Sequence, residues 1–211
     1  MSKLKMNTKQ KILDKALQMF NERGIEYVGL RELAGILDIR VGNITYYFPT
    51  KDDLVYELSQ ELSRKNSQII VPSTDLTMFG FLEIQHKVFQ NHVQFRCLML
   101  SFVHIIQQNP LLANAYSKTQ KLRRDTIRNN IGALVNNGYL RIGDDGELDF
   151  LVSTLALISR FWISEATISF RQTNSEEQIR YYLDLLTRLF TPYCTARGKN
   201  DIRRFVDNAK Q

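Results

Sequence analysis

The sequence predicts an all-α protein, and three observations carry that prediction. Glycine and proline are scarce, at 10 and 4 of 211 residues, where an average chain carries about 12% of the two together. Between the prolines the apolar residues recur at helical spacing, as in Ile12, Leu13, Ala16, Leu17 and Phe20. Helix punctuation falls at the joints: Asn109-Pro110 reads as an N-cap followed by proline at the first helical position, and Ser175-Glu176-Glu177-Gln178 reads as a capping box.

Taken in order, the first stripe predicts a helix over about 7–23. Two short helices at about 30–37 and 41–47 flank a four-residue turn around Leu37–Arg40, and Leu54, Leu58 and Leu62 place a longer helix at about 51–69. After Pro72 come helices near 75–92, 95–108 and 110–136, the last opened by Pro110. Asn136-Asn137-Gly138 and Gly143-Asp144-Asp145-Gly146 mark a loop with room for a tight hairpin. A helix over about 147–171 is apolar on nearly every face, through Leu151, Leu155, Ile158, Phe161, Trp162 and Ile163. The helix at about 175–194 carries two apolar stripes, Ile179/Leu183/Leu186/Phe190 and Tyr182/Leu185/Leu189/Tyr193, and a short helix at 201–209 closes the chain.

Composition excludes several classes. With 44% hydrophobic residues and few breakers, the chain is neither disordered, nor collagen-like, nor a turn-rich β protein. Cys97 and Cys194 are too few for a disulfide framework. The N-terminus MSKLKMNTKQKILDKAL has charges throughout and no apolar signal core. The longest uncharged stretch, Cys97–Ser117, includes His104, Gln107, Gln108, Asn109 and Pro110 and does not read as a membrane span. A soluble, reduced, cytoplasmic protein is expected, with no membrane partner. Charge is uneven: residues 1–51 are net +4 and residues 52–70 net −2, within +6 overall. A basic N-terminal segment suits a surface that faces nucleic acid.

No nucleophile motif or phosphate loop appears, so no catalytic residue, cofactor or metal is expected and the protein reads as not an enzyme. Glu83-Ile84-Gln85-His86 has the Glu-x-x-His spacing of a carboxylate-bridged metal site, but such a site needs a second copy of the motif.

The most informative segment is LRELAGILDIRVGNITYYFPTKDDL, residues 30–54. Ala34 lets two helices cross closely, and Asp38 occupies the turn position that favours a left-handed backbone. Leu33, Leu37, Ile39, Ile44 and Phe48 would close a small core with Ile12, Ala16 and Phe20. This is helix-turn-helix geometry, with its second helix free to enter a major groove. The segment from about Thr8 to Leu62 resembles the N-terminal domain of TetR-family transcriptional regulators, with Gly42, Asn43, Ile44, Phe48, Lys51 and Leu54 in unbroken register. Thr45, Tyr47 and Asp38 depart from that pattern, where tyrosine, histidine and glycine are usual, and Gly29 replaces the common Thr/Ser cap.

The resemblance implies a DNA-binding domain over 1–51 and a helical regulatory and dimerisation domain over 52–211. It implies that Arg31, Val41, Gly42 and Asn43 approach base edges or nearby phosphates. Thr45, Tyr46 and Tyr47 would contact phosphates and sugars, Lys51 would neutralise a phosphate, and Thr8 and Lys9 could touch the DNA backbone.

A helix with two apolar faces packs inward on its own core and outward on something else. The helices at about 147–171 and 175–194 would therefore pair with the same helices of a second chain in a two-fold homodimer. Two recognition helices related by a dyad would read a palindromic double-stranded operator with half-sites about 34 Å apart. His86, Phe102, His104, Tyr116, Phe161, Trp162 and Glu165, polar or aromatic groups set in apolar helices, are candidates to line a site for a small apolar or aromatic ligand. By resemblance such a ligand would release a repressor from DNA. The competing expectation is a helical ligand-binding or scaffold protein with a degenerate helix-turn-helix.

Overall fold

The computed structural model describes residues 2–70 and 74–208, with side chains from Thr8 onward; Pro72 and residue 209, where a joint and a helix end are expected, lie outside them. Every regular element among the described residues is helical: α1 (Ser2–Arg23), α2 (Leu30–Ile36), α3 (Val41–Tyr47), α4 (Lys51–Ile69), α5 (Met78–Gln94), α6 (Arg96–Leu100), α7 (Phe102–Gln108), α8 (Pro110–Asn136), α9 (Asp145–Ser169), α10 (Ser175–Phe190) and α11 (Ala196–Asn208). A 3-10 turn, Thr191–Tyr193, follows α10.

Several expectations are corrected in detail. The helix expected at 95–108 is two helices, because the backbone leaves helical values at Ser101 (φ −91°, ψ 11°). The α10 cap is Asn174 rather than Ser175: the Asn174 side chain accepts from the backbone N–H of Glu177 at 2.9 Å, while Gln178 Nε2 donates to the carbonyls of Phe170 and Thr173. α9 starts at Asp145, capped by the Asp144 carboxylate on Glu147 N. α10 stops at Phe190, with Pro192 in the 3-10 turn that follows. No hairpin forms over 136–146. Leu140 instead bridges Cys194 in antiparallel fashion, with Arg141 N donating to Tyr193 O at 2.8 Å and Thr195 N to Tyr139 O at 3.0 Å.

Packing groups the chain into two compact units that do not follow a division at 51/52. One takes in residues up to Arg64 together with Phe95–Tyr116; the other takes in Lys65–Gln94 and the chain from Ser117 onward. The reason lies in the apolar faces. Leu54, Val55, Leu58 and Leu62 of α4 close the core begun by Ile12, Ala16, Phe20, Leu33, Ala34, Ile44 and Phe48, and Phe95, Cys97, Leu98, Ile105 and Leu112 join the same cluster. Leu37 and Ile39, expected inside this core, pack at its edge half-buried.

The second unit is built around α5, which packs against α9, α10 and α11. Phe81 meets Phe190 edge-on at 5.3 Å, and Phe79 meets Phe205 at 5.9 Å. Asp201, buried on α11, accepts a hydrogen bond from Phe79 N at 3.1 Å and so caps the start of α5 from 122 residues away. α9 is long and apolar enough to cross a membrane by length and composition, a match the uncharged-stretch criterion passes over because Arg160 and Glu165 interrupt it. Here its face of Leu151, Val152, Leu155, Trp162, Ile163 and Ala166 is buried.

Candidate nucleic-acid interface

The helix-turn-helix is built by a short turn and two uncapped helix starts. α2 begins after Gly29, whose backbone is extended (φ −101°, ψ 154°). It ends at Leu37, and Asp38 then takes φ 52°, the left-handed value expected at this turn. Ile39 N donates to Ala34 O at 3.0 Å and closes the α2 end. Arg40, extended and exposed, opens α3. Ile44 and Phe48 are buried on the inner side of α3, which leaves Gly42, Asn43 and Tyr46 exposed on its outer side.

The eight expected DNA-facing residues therefore divide. Arg31, Gly42, Asn43 and Tyr46 are exposed, Tyr46 by 68%. Val41 and Tyr47 are half-buried and pack against the core, with the Tyr47 ring 5.0 Å from Tyr46 and 6.5 Å from Phe48. Thr45 is half-buried and its hydroxyl turns back to Gly42 O at 3.4 Å. Lys51 departs most from expectation. Its Nζ donates to the carbonyls of Ile25 at 2.9 Å and Glu26 at 3.3 Å, which commits two of its three donors to the segment leading into α2. Lys9 likewise turns to α4, pairing with Glu57 at 3.1 Å and lying over the Phe48 ring.

A Cβ built on Gly42 would meet nothing within 4 Å. Glycine in a helix costs about 0.5–1 kcal/mol relative to alanine, and neither φ nor packing asks for it at this position. It leaves the outer face of α3 without a side chain at this position. Arg40 and Tyr27, 75% exposed in the segment before α2, are further exposed groups near the helix-turn-helix that motif matching did not single out.

The seven candidate ligand residues are not gathered in one place. Phe102 and Tyr116 pair edge-on at 5.1 Å in the first unit, where His104 is exposed. In the second unit His86 and Phe161 are half-buried, and Glu165 is exposed and accepts from the Ser169 hydroxyl. Of the seven only Trp162 lies in a core. Two depressions of about 590 and 540 Å³ lie along residues 132–148 and Thr195–Arg197, open to solvent, and hold none of the seven. Among the described residues no three His, Cys, Asp or Glu side chains come together in a way that could hold a metal ion.

Around Trp162 the structure assembles groups that sequence reading missed. Its ring stacks on Phe89 at 4.8 Å and lies 5.3 Å from Tyr182. Its Nε1 donates to His92 Nδ1 at 3.1 Å, with both residues buried. The Tyr182 hydroxyl is buried without a hydrogen-bond partner. Burial pulls the His92 pKa down to about 3, with the Arg123 charge adding to the effect. The signal was present: Gln85, Val88, Phe89 and His92 share one face of α5 at helical spacing.

With this geometry in place, likeness to known proteins is informative. A family model described as bacterial regulatory proteins, tetR family, matches residues 12–58, and a second, described as a bacterial transcriptional repressor of the TetR type, matches residues 58–202. The probable HTH-type transcriptional regulator YttP of Bacillus subtilis (strain 168) is 33% identical over 103 residues, 43% of this chain and 48% of its own; the chain thus spans about half the length of that relative. The HTH-type transcriptional repressor KstR of Mycolicibacterium smegmatis is 24% identical over 192 residues, 89% of each chain. The solved structure of a TetR-family transcriptional regulator from Marinobacter aquaeolei VT8 shares the fold with a TM-score of 0.86, at 19% identity over 95% of this chain and 98% of that one.

Proposed function

This chain belongs to the TetR family of bacterial transcriptional regulators, and from that premise we propose that it is a dimeric repressor that binds a palindromic operator and is released by a small ligand. The observation that carries the DNA part is the outer face of α3, where Gly42, Asn43 and Tyr46 are exposed and Gly42 is a glycine the fold does not need. Asn43 and Arg31 are the base-reading candidates, with Val41 at the edge of the contact. Tyr46, Tyr47 and Thr45 position the helix on phosphates and sugars, and Lys51 holds the segment before α2 with one of its three donors left for a phosphate. Residues 1–51 hold these contacts and 52–211 the dimer and ligand functions.

Selection of bound sequences from random duplexes tests this, followed by affinity measured against salt. The expected result is one enriched palindrome and an affinity that falls steeply as salt rises. Gly42→Ala should leave stability equal or about 0.5–1 kcal/mol higher while weakening binding. Tyr46→Ala should weaken all sequences about equally, and Asn43→Ala should also relax preference at one base position. No enriched sequence and a flat salt response would instead favour a helical ligand-binding protein with an inactive helix-turn-helix.

For the ligand, the place supported best is the Phe89–His92–Trp162–Tyr182 cluster, where an unpartnered hydroxyl sits among aromatic rings and burial holds His92 neutral. An uncharged, largely apolar ligand with a hydrogen-bond acceptor suits it. Binding there would change the fluorescence of Trp162, the chain's one tryptophan. A panel of such compounds that alters neither the emission nor the DNA affinity removes this site.

A further inference from the structure

Asn109 is 2% exposed, and both ends of its amide are engaged. Its Oδ1 accepts from Leu112 N at 3.1 Å, which caps α8, and its Nδ2 donates to the main-chain carbonyl of Asp52 at 3.1 Å. Capping alone uses only the oxygen, and serine, threonine or aspartate would serve as well. The nitrogen does something else: it ties the first turn of α4 to the start of α8 across 57 residues. That same turn is engaged elsewhere. Lys51, one residue earlier, holds the Ile25 and Glu26 carbonyls ahead of α2. Thr50 and Asp53 cap α4 reciprocally, with Thr50 N and Oγ1 donating to Asp53 Oδ2 at 3.0 and 2.7 Å and Asp53 N donating to Thr50 Oγ1 at 3.2 Å. The start of α4 is thus the place where the segment feeding the helix-turn-helix and the α7–α8 joint meet.

We propose that Asn109 is a positioning residue for DNA binding, whose bond to Asp52 sets α4 and, through Lys51, the segment leading into α2, so that operator affinity depends on a side chain that touches no DNA. A displacement of the α8 start reaches the helix-turn-helix through this bond. The inference rests on the DNA-binding reading above and adds to it the residue that holds the module in its binding posture.

The test separates the cap from the tie. N109S and N109D keep a good N-cap but lose the donor, serine being too short to reach and a carboxylate having no proton to give; N109A loses both. Affinity for the selected duplex is measured beside thermal melting and the salt dependence of binding. All three variants should bind about tenfold more weakly than the parent chain with an unchanged salt slope, since no phosphate contact is removed. N109S and N109D should keep helix content and melt close to the parent, while N109A melts lower. Should the N109D carboxylate disrupt the fold, N109S decides. If N109S and N109D bind as the parent does and only N109A is weakened, Asn109 is a cap alone and the proposal is overturned. If the parent chain itself selects no sequence, it is the DNA-binding reading that fails.

Discussion

At the scale of single residues, His92 shows how tertiary burial turns a surface-type side chain into a pH-dependent part of the core. Trp162 Nε1 donates to its Nδ1, so the neutral ring carries its own proton on Nε2. An unfolded histidine takes up a proton near pH 6.5, whereas the folded one does so only near 3. Between those values the unfolded chain binds more protons. The contribution is therefore fully present above pH 6.5 and is lost as the pH falls toward 3. Lowering the pH from 7 to 5 should cost roughly 2 kcal/mol from this group, read from denaturant unfolding. His92→Gln retains an acceptor for Trp162 without titrating and should lack that loss; identical pH profiles would show that His92 is not its source. Gly198 is decided at the same scale, because a Cβ there would lie 2.3 Å from the Tyr139 carbonyl.

At the scale of elements, the joints depend on backbone conformation more than on residue preference. The turn between α2 and α3 needs a left-handed residue, and Asp38 supplies it at φ 52°. Aspartate tolerates this better than most residues, whereas a β-branched side chain pays the full steric cost. Asp38→Val should lower stability by about 1–2 kcal/mol and Asp38→Gly should melt at or above the parent. Equal melting of the two would mean that the turn relaxes out of the left-handed region. The α2–α4 bounds were legible because Gly29, Asp38 and the α4 leucines leave one arrangement. The α10 cap was misplaced by one residue because Asn174 and Ser175 are both good caps, and only the path of the chain after Phe170 chooses between them. The break at Ser101 carries no proline or glycine to announce it.

At the scale of the whole molecule, α9 and α10 leave apolar surface uncovered. Phe150, Leu157 and Ile168 of α9 are 53–72% exposed and Tyr181 of α10 is 44% exposed, with Phe161, Leu185 and Leu189 half-buried. Such a face supports pairing with a second copy through these two helices. Sedimentation at micromolar concentration should give twice the 24.6 kDa chain mass. Leu157→Arg should shift it toward the single-chain mass and weaken operator binding, because two half-sites no longer act together. A parent chain that sediments at 24.6 kDa would remove the dimer and with it the need for a palindrome.

The sequence by itself determined the all-α class and the helix-turn-helix with its register and turn, including the inward side of Ile44 and Phe48. All of these follow from local periodicity and from conformational preferences that act within a few residues. Only the tertiary structure decided that Lys51 holds carbonyls ahead of α2, that Asn109 ties α4 to α8, that α4 and α6–α7 complete the N-terminal core, and that the polar-aromatic cluster centres on His92, Trp162 and Tyr182. Each of these joins groups twenty or more residues apart, where a lysine ammonium, a histidine ring or an asparagine amide takes whichever partner packing brings within hydrogen-bond reach.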